Sequence, residues 1–470
     1  MNHTFAPVVN DPKLEKHEND HLELSLPTDD VEVRVELRKL GQPAALSGEG
    51  NRERRARLAA LLNEQKDADS GDEDEESDEE FYTPGREDLT EIRTKILHES
   101  VLSALKRVAA QKAFASAHNF TKVLKHRRNI AAKVSKYELN GSYTMRGNLR
   151  MLSRARFNQN DLKIACSSWE GTFYVLQKDE TGYYQETQRL ASGFHSEMAT
   201  IAWSPKDEGL LVSGGGEGKV NIWKMDCDPQ KPEVTPISTV MAHSKRIAQT
   251  GFHPRGEYFA TTSFDQTWKF WDANRPDMEV FEQEGHSKEV FLMAFHPDGG
   301  LIATGGLDAN GLLWDLRTGR NIAAFEGHVK GIYSMDFAPN GYHLATGSGD
   351  NSVKIWDLRK GRTELFSIPA HTKIVSDVRF LKGNRASKLA TAVTDENDAN
   401  PETLDVSGTC LVTCSYDNTV KVWSADNWVN ITTLQGHTDR VLSCDISQNG
   451  ETILSCGWDR TLRTWGAENL

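Results

Sequence analysis

The sequence is short of several devices, and each shortage removes a class of explanation. Cysteine occurs six times in 470 residues, at 166, 227, 410, 414, 444 and 456, with no CxxC pair. A zinc ribbon needs such pairs and a disulfide scaffold needs far denser cysteine, so core thiols in a reducing compartment are expected. No apolar run approaches the ~20 residues of a membrane-spanning helix. The opening MNHTFAPVVND lacks the basic-then-apolar pattern of a secretion signal, which points to an intracellular protein without membrane contact. Gly214–Lys219 lacks the first glycine and the following Ser/Thr of a phosphate loop, so no nucleotide cofactor is expected. No RNP signature is present, which excludes base-specific reading of RNA by that module.

What is abundant is repetition. The stretch 327–357, GHVKGIYSMDFAPNGYHLATGSGDNSVKIWD, carries three short β-rich runs joined by Pro339-Asn340-Gly341 and Gly349-Asp350-Asn351. The interval from its His to its Trp is 28 residues in five copies: His195–Trp223, His243–Trp271, His286–Trp314, His328–Trp356 and His437–Trp465. His371 and Trp423 lie 52 apart, an insertion of 52 − 28 = 24 residues. A weaker copy at 156–176 makes seven. One such unit cannot bury its own apolar face, so a stacked array is required. The pattern resembles WD repeats, which implies an all-β seven-bladed propeller of four-stranded sheets. Only five residues follow Trp465, so the segment near 135–142 is expected to complete blade seven and close the ring.

The net charge of −13 hides a block structure. Asp67–Glu80 holds ten acids and no base, whereas 81–150 holds fourteen Lys/Arg against five acids. The expected order is a disordered 1–30, two short helices in 31–65, an acidic linker at 66–82, a basic helical segment at 83–134 and the propeller at 135–470. Asn51 is the expected cap of the second short helix, and Thr83-Pro84 the start of the longer one. Leu89, Ile92, Ile96, Leu105 and Val108 are its expected apolar stripe. Two helices of about thirty residues cannot bury enough area alone and should order against a partner.

Leu37-Arg38-x-Leu40-Gly41-x-Pro43, then Gly48-Glu49, then Arg54-Arg55-x-Arg57-Leu58 resembles the splicing-factor motif of pre-mRNA processing factors four and eighteen. Ser47 stands where that motif has an aromatic residue. The order of motif, acidic linker, basic helix and seven repeats resembles the pre-mRNA processing factor four family, WD-repeat proteins of the U4/U6 small nuclear ribonucleoprotein. The resemblance implies a nuclear, non-catalytic scaffold of the U4/U6 snRNP and U4/U6·U5 tri-snRNP. It would hold pre-mRNA processing factor three and a cyclophilin peptidyl-prolyl isomerase, and support U4/U6 snRNA directly or through partner proteins. It also implies that Arg93, Ser100, Ala104 and Arg107 belong to the same partner-binding region. The alternative is a WD-repeat adaptor of another nuclear complex, a ubiquitin-ligase substrate receptor or a chromatin reader.

Ser/His/Asp sets raise hydrolysis as a question. They recur in register as His243, Ser263, Asp265 and Trp271; His328, Ser348, Asp350 and Trp356; and His371, Ser415, Asp417 and Trp423. A catalytic site occurs once, so these are expected to be hydrogen-bond networks, with no catalytic, metal or cofactor residues. Binding is expected on the face carrying the His loops and inner turns. The residue before each inner-turn acid is aromatic in four blades, Trp169, Phe264, Tyr416 and Trp458, with Leu307 in blade four. Two residues after the His stand Lys245, Lys288, Lys330 and Lys373. An aromatic centre with a basic rim suits an acidic or phosphate-bearing ligand. Lys122, Lys125, Arg127, Arg128, Lys133 and Lys136 form a basic tract for phosphate contact or nuclear import. The insertion 383–408 is expected on the opposite face as a flexible elaboration.

Overall fold

The computed structural model describes residues 30–40, 43–44, 50–58, 61, 87–145, 147–148, 150–180, 182–189, 195–225, 235–361, 363–383, 389 and 405–467. The chain divides into two compact units, Met1–Gly85 and Arg86–Leu470.

In the first unit, helix α1 (Asp30–Lys39) is followed by α2 (residues 51–58). Acids in the first turn of α1 and bases in its last match the helix dipole. Val33, Leu37 and Leu58 are buried together, with Leu40 and Leu61 beside them. Buried Arg54 reaches across to pair with Asp30. The expected Asn51 cap is corrected to Gly50. The Gly50 carbonyl accepts the first helical bond from Arg54 N, and the Glu53 carboxylate returns to Gly50 N at 3.0 Å. This is half of a capping box; the Asn51 oxygen is instead turned toward the Arg54 guanidinium.

In the second unit, 28 strands form seven four-stranded antiparallel sheets arranged as a propeller. Blade three shows the logic with β10 (Ile247–Phe252), β11 (Tyr258–Ser263), β12 (Thr267–Asp272) and β13 (Glu279–Glu284). Every residue of β11 is buried, because strands flank it in the sheet and neighbouring blades cover both faces. Its small Ala260, Thr261 and Thr262 let the blades approach. Trp268, Phe270 and Trp271 of β12 fill the space between sheets, each contributing about 1.5–3 kcal/mol by burial. In blade seven, β1 (Glu138–Thr144) pairs with β28 (Thr461–Gly466), with Tyr143 opposite Leu462. The first and last strands of the propeller thus share one sheet, which removes an exposed edge.

Two backbone features repeat in all seven blades. The second residue of each first strand, at 153, 199, 248, 291, 333, 376 and 442, sits at a register shift. Such bulges re-aim a side chain. The residue after each inner-turn acid is left-handed: Gly171, Gly218, Gln266, Ala309, Asn351, Asn418 and Arg460, with φ between 63° and 79°. At Gly218 a Cβ would stand 2.1 Å from the His243 carbonyl oxygen, so blade two needs glycine there.

Helix α3 (Glu87–Ala117) lies along blades three to five. Ile96 is buried with Tyr258, Phe281, Ile302 and Leu316, and Leu89 and Ile92 pack on the same cluster. Leu105, expected in this stripe, is 61% exposed. The inward face instead follows Ile96, Ser100 and Arg107, whose polar members find partners on the ring. Helix α4 (Phe120–Val134), capped by Asn119, buries His126, Ile130 and Val134. Ile130 and Val134 share a cluster with Leu389 and Val406, so both described footholds of the blade-six insertion are packed rather than loose. The Thr83-Pro84 helix start and most of the insertion lie outside the described residues. Cys166, Cys410, Cys414, Cys444 and Cys456 are buried and free. No described helix is long and apolar enough to cross a membrane.

Candidate protein-interaction site

The recurring polar sets come first, because they decide whether the ring could be catalytic. His243 donates from Nδ1 to Asp265 at 2.9 Å, Thr261 donates to His243 Nε2 at 2.8 Å, and Trp271 donates to Thr261 at 3.0 Å. His328 repeats this with Asp350, Thr346 and Trp356, and His371 with Asp417, Thr413 and Trp423. His286 and His437 do the same in blades four and seven, Ser455 replacing threonine in the latter. The member that touches the histidine is therefore a hydroxyl two residues before the serine expected from sequence. Ser263, Ser348 and Ser415 bond instead to lead-in carbonyls and to the N–H of the inner-turn aspartate. Physically, alternation along the strand turns Thr261 and Ser263 to the same side, but only Thr261 is level with the imidazole.

Each network joins a His loop to its inner turn through paired polar groups. Burial alone would raise the Asp265, Asp350, Asp417 and Asp459 carboxyls, but bonds from the facing His and Thr or Ser outweigh it and hold them low. Blade two departs from the pattern. Glu217 replaces the aspartate, His195 Nδ1 has no partner among the described residues, and burial pushes its imidazole down to about 4.

These rigid corners present a collar at the channel mouth. Trp169, Phe264, Tyr416 and Trp458 line a cavity of about 260 Å³. Leu307 does not reach it and packs against Gly331. Two further aromatics, Phe291 and Tyr333, complete the arc; their rings meet at 5.2 Å, and Phe291 meets Phe264 at 6.1 Å. Both are bulge residues, as are Ser153, Ala248, Ser376 and Leu442 in the same lining. Two guanidiniums sit among the rings. Arg246 lies 4.9 Å from Trp169 and 5.9 Å from Phe264, and Arg440 lies 4.7 Å from Trp458 and 5.4 Å from Tyr416. Lys245, Lys288, Lys330 and Lys373 are exposed around blades three to six. Such preorganised rings with a charged rim fit a desolvated anchor.

The other candidate residues are distributed differently. In the first unit Leu37, Arg54 and Leu58 are buried in its own core, and Arg57 donates to the Pro43 carbonyl at 3.1 Å. Arg38 is exposed, Leu40 and Arg55 are half-buried, and Gly41, Gly48 and Glu49 lie outside the described residues. On α4, Arg127 pairs with Asp426 of blade six, while Lys122, Lys125 and Arg128 are exposed and Lys133 is half-buried; Lys136, just past the helix, is exposed. Of Arg93, Ser100, Ala104 and Arg107, grouped by the resemblance with a partner-binding region, three touch the ring itself. Arg93 lies over Phe281, Ser100 is buried beside Gly300, and Arg107 bonds Asp298. Arg93, Ser100 and Arg107 fasten α3 to the ring.

Comparison with known proteins fits this architecture. Residues 234–272, 278–315, 319–357, 403–424 and 428–466 match the WD domain, G-beta repeat. Residues 33–61 match the family described as pre-mRNA processing factor 4 (PRP4) like. The U4/U6 small nuclear ribonucleoprotein PRP4 of Saccharomyces cerevisiae is 38% identical over 90% of this chain and 87% of its own length. The human protein named U4/U6 small nuclear ribonucleoprotein Prp4 is 35% identical over 39% of this chain and 38% of its own. An Arabidopsis thaliana PRP4-like protein is 35% identical over 43% and 38%. With the motif and the propeller in the same order on one chain, this protein belongs to the pre-mRNA processing factor 4 (PRP4) family of WD-repeat proteins.

Proposed function

We propose that this chain is a non-catalytic scaffold subunit of the spliceosomal U4/U6 snRNP and the U4/U6·U5 tri-snRNP, acting in the nucleus in pre-mRNA splicing. The observation that carries this is the family relationship across both parts of the chain, since a propeller alone hosts many functions. The non-catalytic part rests on the repetition of the His networks, whose histidines contact threonine or serine hydroxyls that also hold tryptophans. The motif at 33–61 and the aromatic collar offer separate binding surfaces on one chain. Two weak contacts linked in this way act at high effective concentration. The partners we assign by family are pre-mRNA processing factor three and a cyclophilin peptidyl-prolyl isomerase, with U4/U6 snRNA held directly or through them. The exposed bases of α4 are the surface best suited to phosphate.

The test is to purify the tagged protein from nuclear extract at moderate salt and sequence the RNA that comes with it. Enrichment of U4, U6 and U5 over other small nuclear RNAs is expected. An intact protein complex without that enrichment would place the chain in some other assembly.

A further inference from the structure

Below the collar the channel wall becomes charged. Arg156 is buried and engaged, with Asp377 at 2.9 Å, Ser443 Oγ at 2.9 Å and the Cys444 carbonyl at 2.8 Å. Asp377 also faces Arg379 at 3.6 Å. Asp336 takes Lys382 at 3.1 Å, and Asp445 accepts the Phe157 N–H at 2.9 Å. Arg154 belongs to the same wall, yet its guanidinium has no ion pair or hydrogen bond among the described residues. It is the one residue common to the linings of the 260 Å³ mouth and the 460 Å³ cavity beneath it. Burial, Arg156 and Arg379 work against its charge and outweigh the support of Asp377, so the guanidinium is held below its ordinary range. Asp377 is a counter-charge to it, but that carboxylate is already bonded by Arg156 at 2.9 Å.

The chemistry of an occupant follows from this neck. The rings above it already carry Arg246 and Arg440 against them, so few faces are left for stacking nucleobases, which single-stranded RNA binding uses. A mouth with one half-buried guanidinium that makes no hydrogen bond among the described residues suits one carboxylate on a slim side chain, and paired Arg–carboxylate bonds are strong and directional. The exposed lysines of blades three to six would draw further acids on the same peptide.

We propose that the channel mouth receives an acidic peptide of a partner protein, and that one of its Asp or Glu carboxylates passes the aromatic collar to pair with Arg154. This rests on the collar being a partner surface, as proposed above, and names the chemistry it recognises.

The test titrates the full chain at low salt with hexaglutamate, hexaglutamine and hexauridylate, following the heat of binding and the intrinsic tryptophan fluorescence, to which Trp169 and Trp458 contribute. Hexaglutamate should bind and hexaglutamine should not. Arg154→Gln should weaken hexaglutamate by about tenfold or more, with Arg154→Lys between them, as loss of a charge-assisted pair requires. The thermal midpoint of Arg154→Gln should be unchanged, because the half-buried guanidinium makes no hydrogen bond to the ring among the described residues, so lost binding would not be unfolding. Equal hexaglutamate affinity in the wild type and Arg154→Gln would overturn the assignment, as would no binding, or tighter binding of hexauridylate. Tagged Arg154→Gln that keeps U4 and U6 RNA, when a collar variant loses them, would overturn this inference and leave the collar reading standing.

Discussion

Arg107 and Asp298 meet through two nitrogens of one guanidinium, Nη2 at 2.7 Å and Nε at 2.9 Å, although 191 residues separate them in the chain. The same guanidinium donates to the Asn340 carbonyl at 2.7 Å and lies over the Tyr342 ring. One side chain of α3 therefore holds blades four and five together from outside. Arg107→Ala leaves Asp298 and Asn340 without that donor and should cost about 1–3 kcal/mol locally. Hydrogen exchange should quicken across 87–117 with little change in the inner strands. Unchanged protection of α3 would show that the contact carries no stability.

The identity of the hydroxyl in each His network has a direct consequence. Thr346→Val keeps the shape but leaves His328 Nε2 and Trp356 Nε1 buried without a partner. The expected loss is about 2–4 kcal/mol, against about 1–2 kcal/mol for Ser348→Ala, which leaves the histidine's own bonds intact. Denaturant melts of the two variants decide it. A larger loss for the serine variant would reverse the assignment.

The left-handed inner-turn residue offers a gain in stability. Ala309 holds φ at 67° where its Cβ is unwelcome, so Ala309→Gly should stabilise by about 1 kcal/mol. Gly218→Ala should destabilise by more, because its Cβ meets a backbone carbonyl. Thermal midpoints moving the other way would show that these turns are relaxed in the native ring.

The networks also set the acid limit of the fold. The carboxyls of Asp265, Asp350, Asp417 and Asp459 are held below their ordinary range in the folded state. An unfolded aspartate titrates near ~3.9, so their stabilisation is present above that pH and is lost as pH falls toward the folded values. The thermal midpoint should be nearly flat from about pH 8 to 5 and fall steeply below about pH 4. Asp350→Asn should start lower and fall less. An equally steep fall in that variant would mean other groups dominate.

These particulars show how far the sequence could be followed. The interval from His to Trp marks one turn of a rigid blade, so the repeat number and the ring closure were legible from spacing. Thr261 was missed because strand register, and not proximity in sequence, decides which hydroxyl stands level with the imidazole. Phe291 and Tyr333 were missed because a bulge re-aims them, and a bulge changes hydrogen-bond register without marking composition. The resemblance groups Arg107 with a partner-binding region, but a motif match does not say whether a helix also docks on its own ring. Only the distance from Arg107 to Asp298 shows that it does.

The most direct measurement on the collar is U4 and U6 RNA recovery with the tagged chain carrying Phe264→Ala, Tyr416→Ala and Trp458→Ala together, set beside the wild type. All three side chains are at least partly open to the mouth, so the ring should stay folded, which circular dichroism and the thermal midpoint will report. Recovery at one tenth of the wild-type level or less is expected if the collar is the partner surface. Wild-type recovery from a folded triple variant would contradict it and move the binding surface elsewhere on the chain.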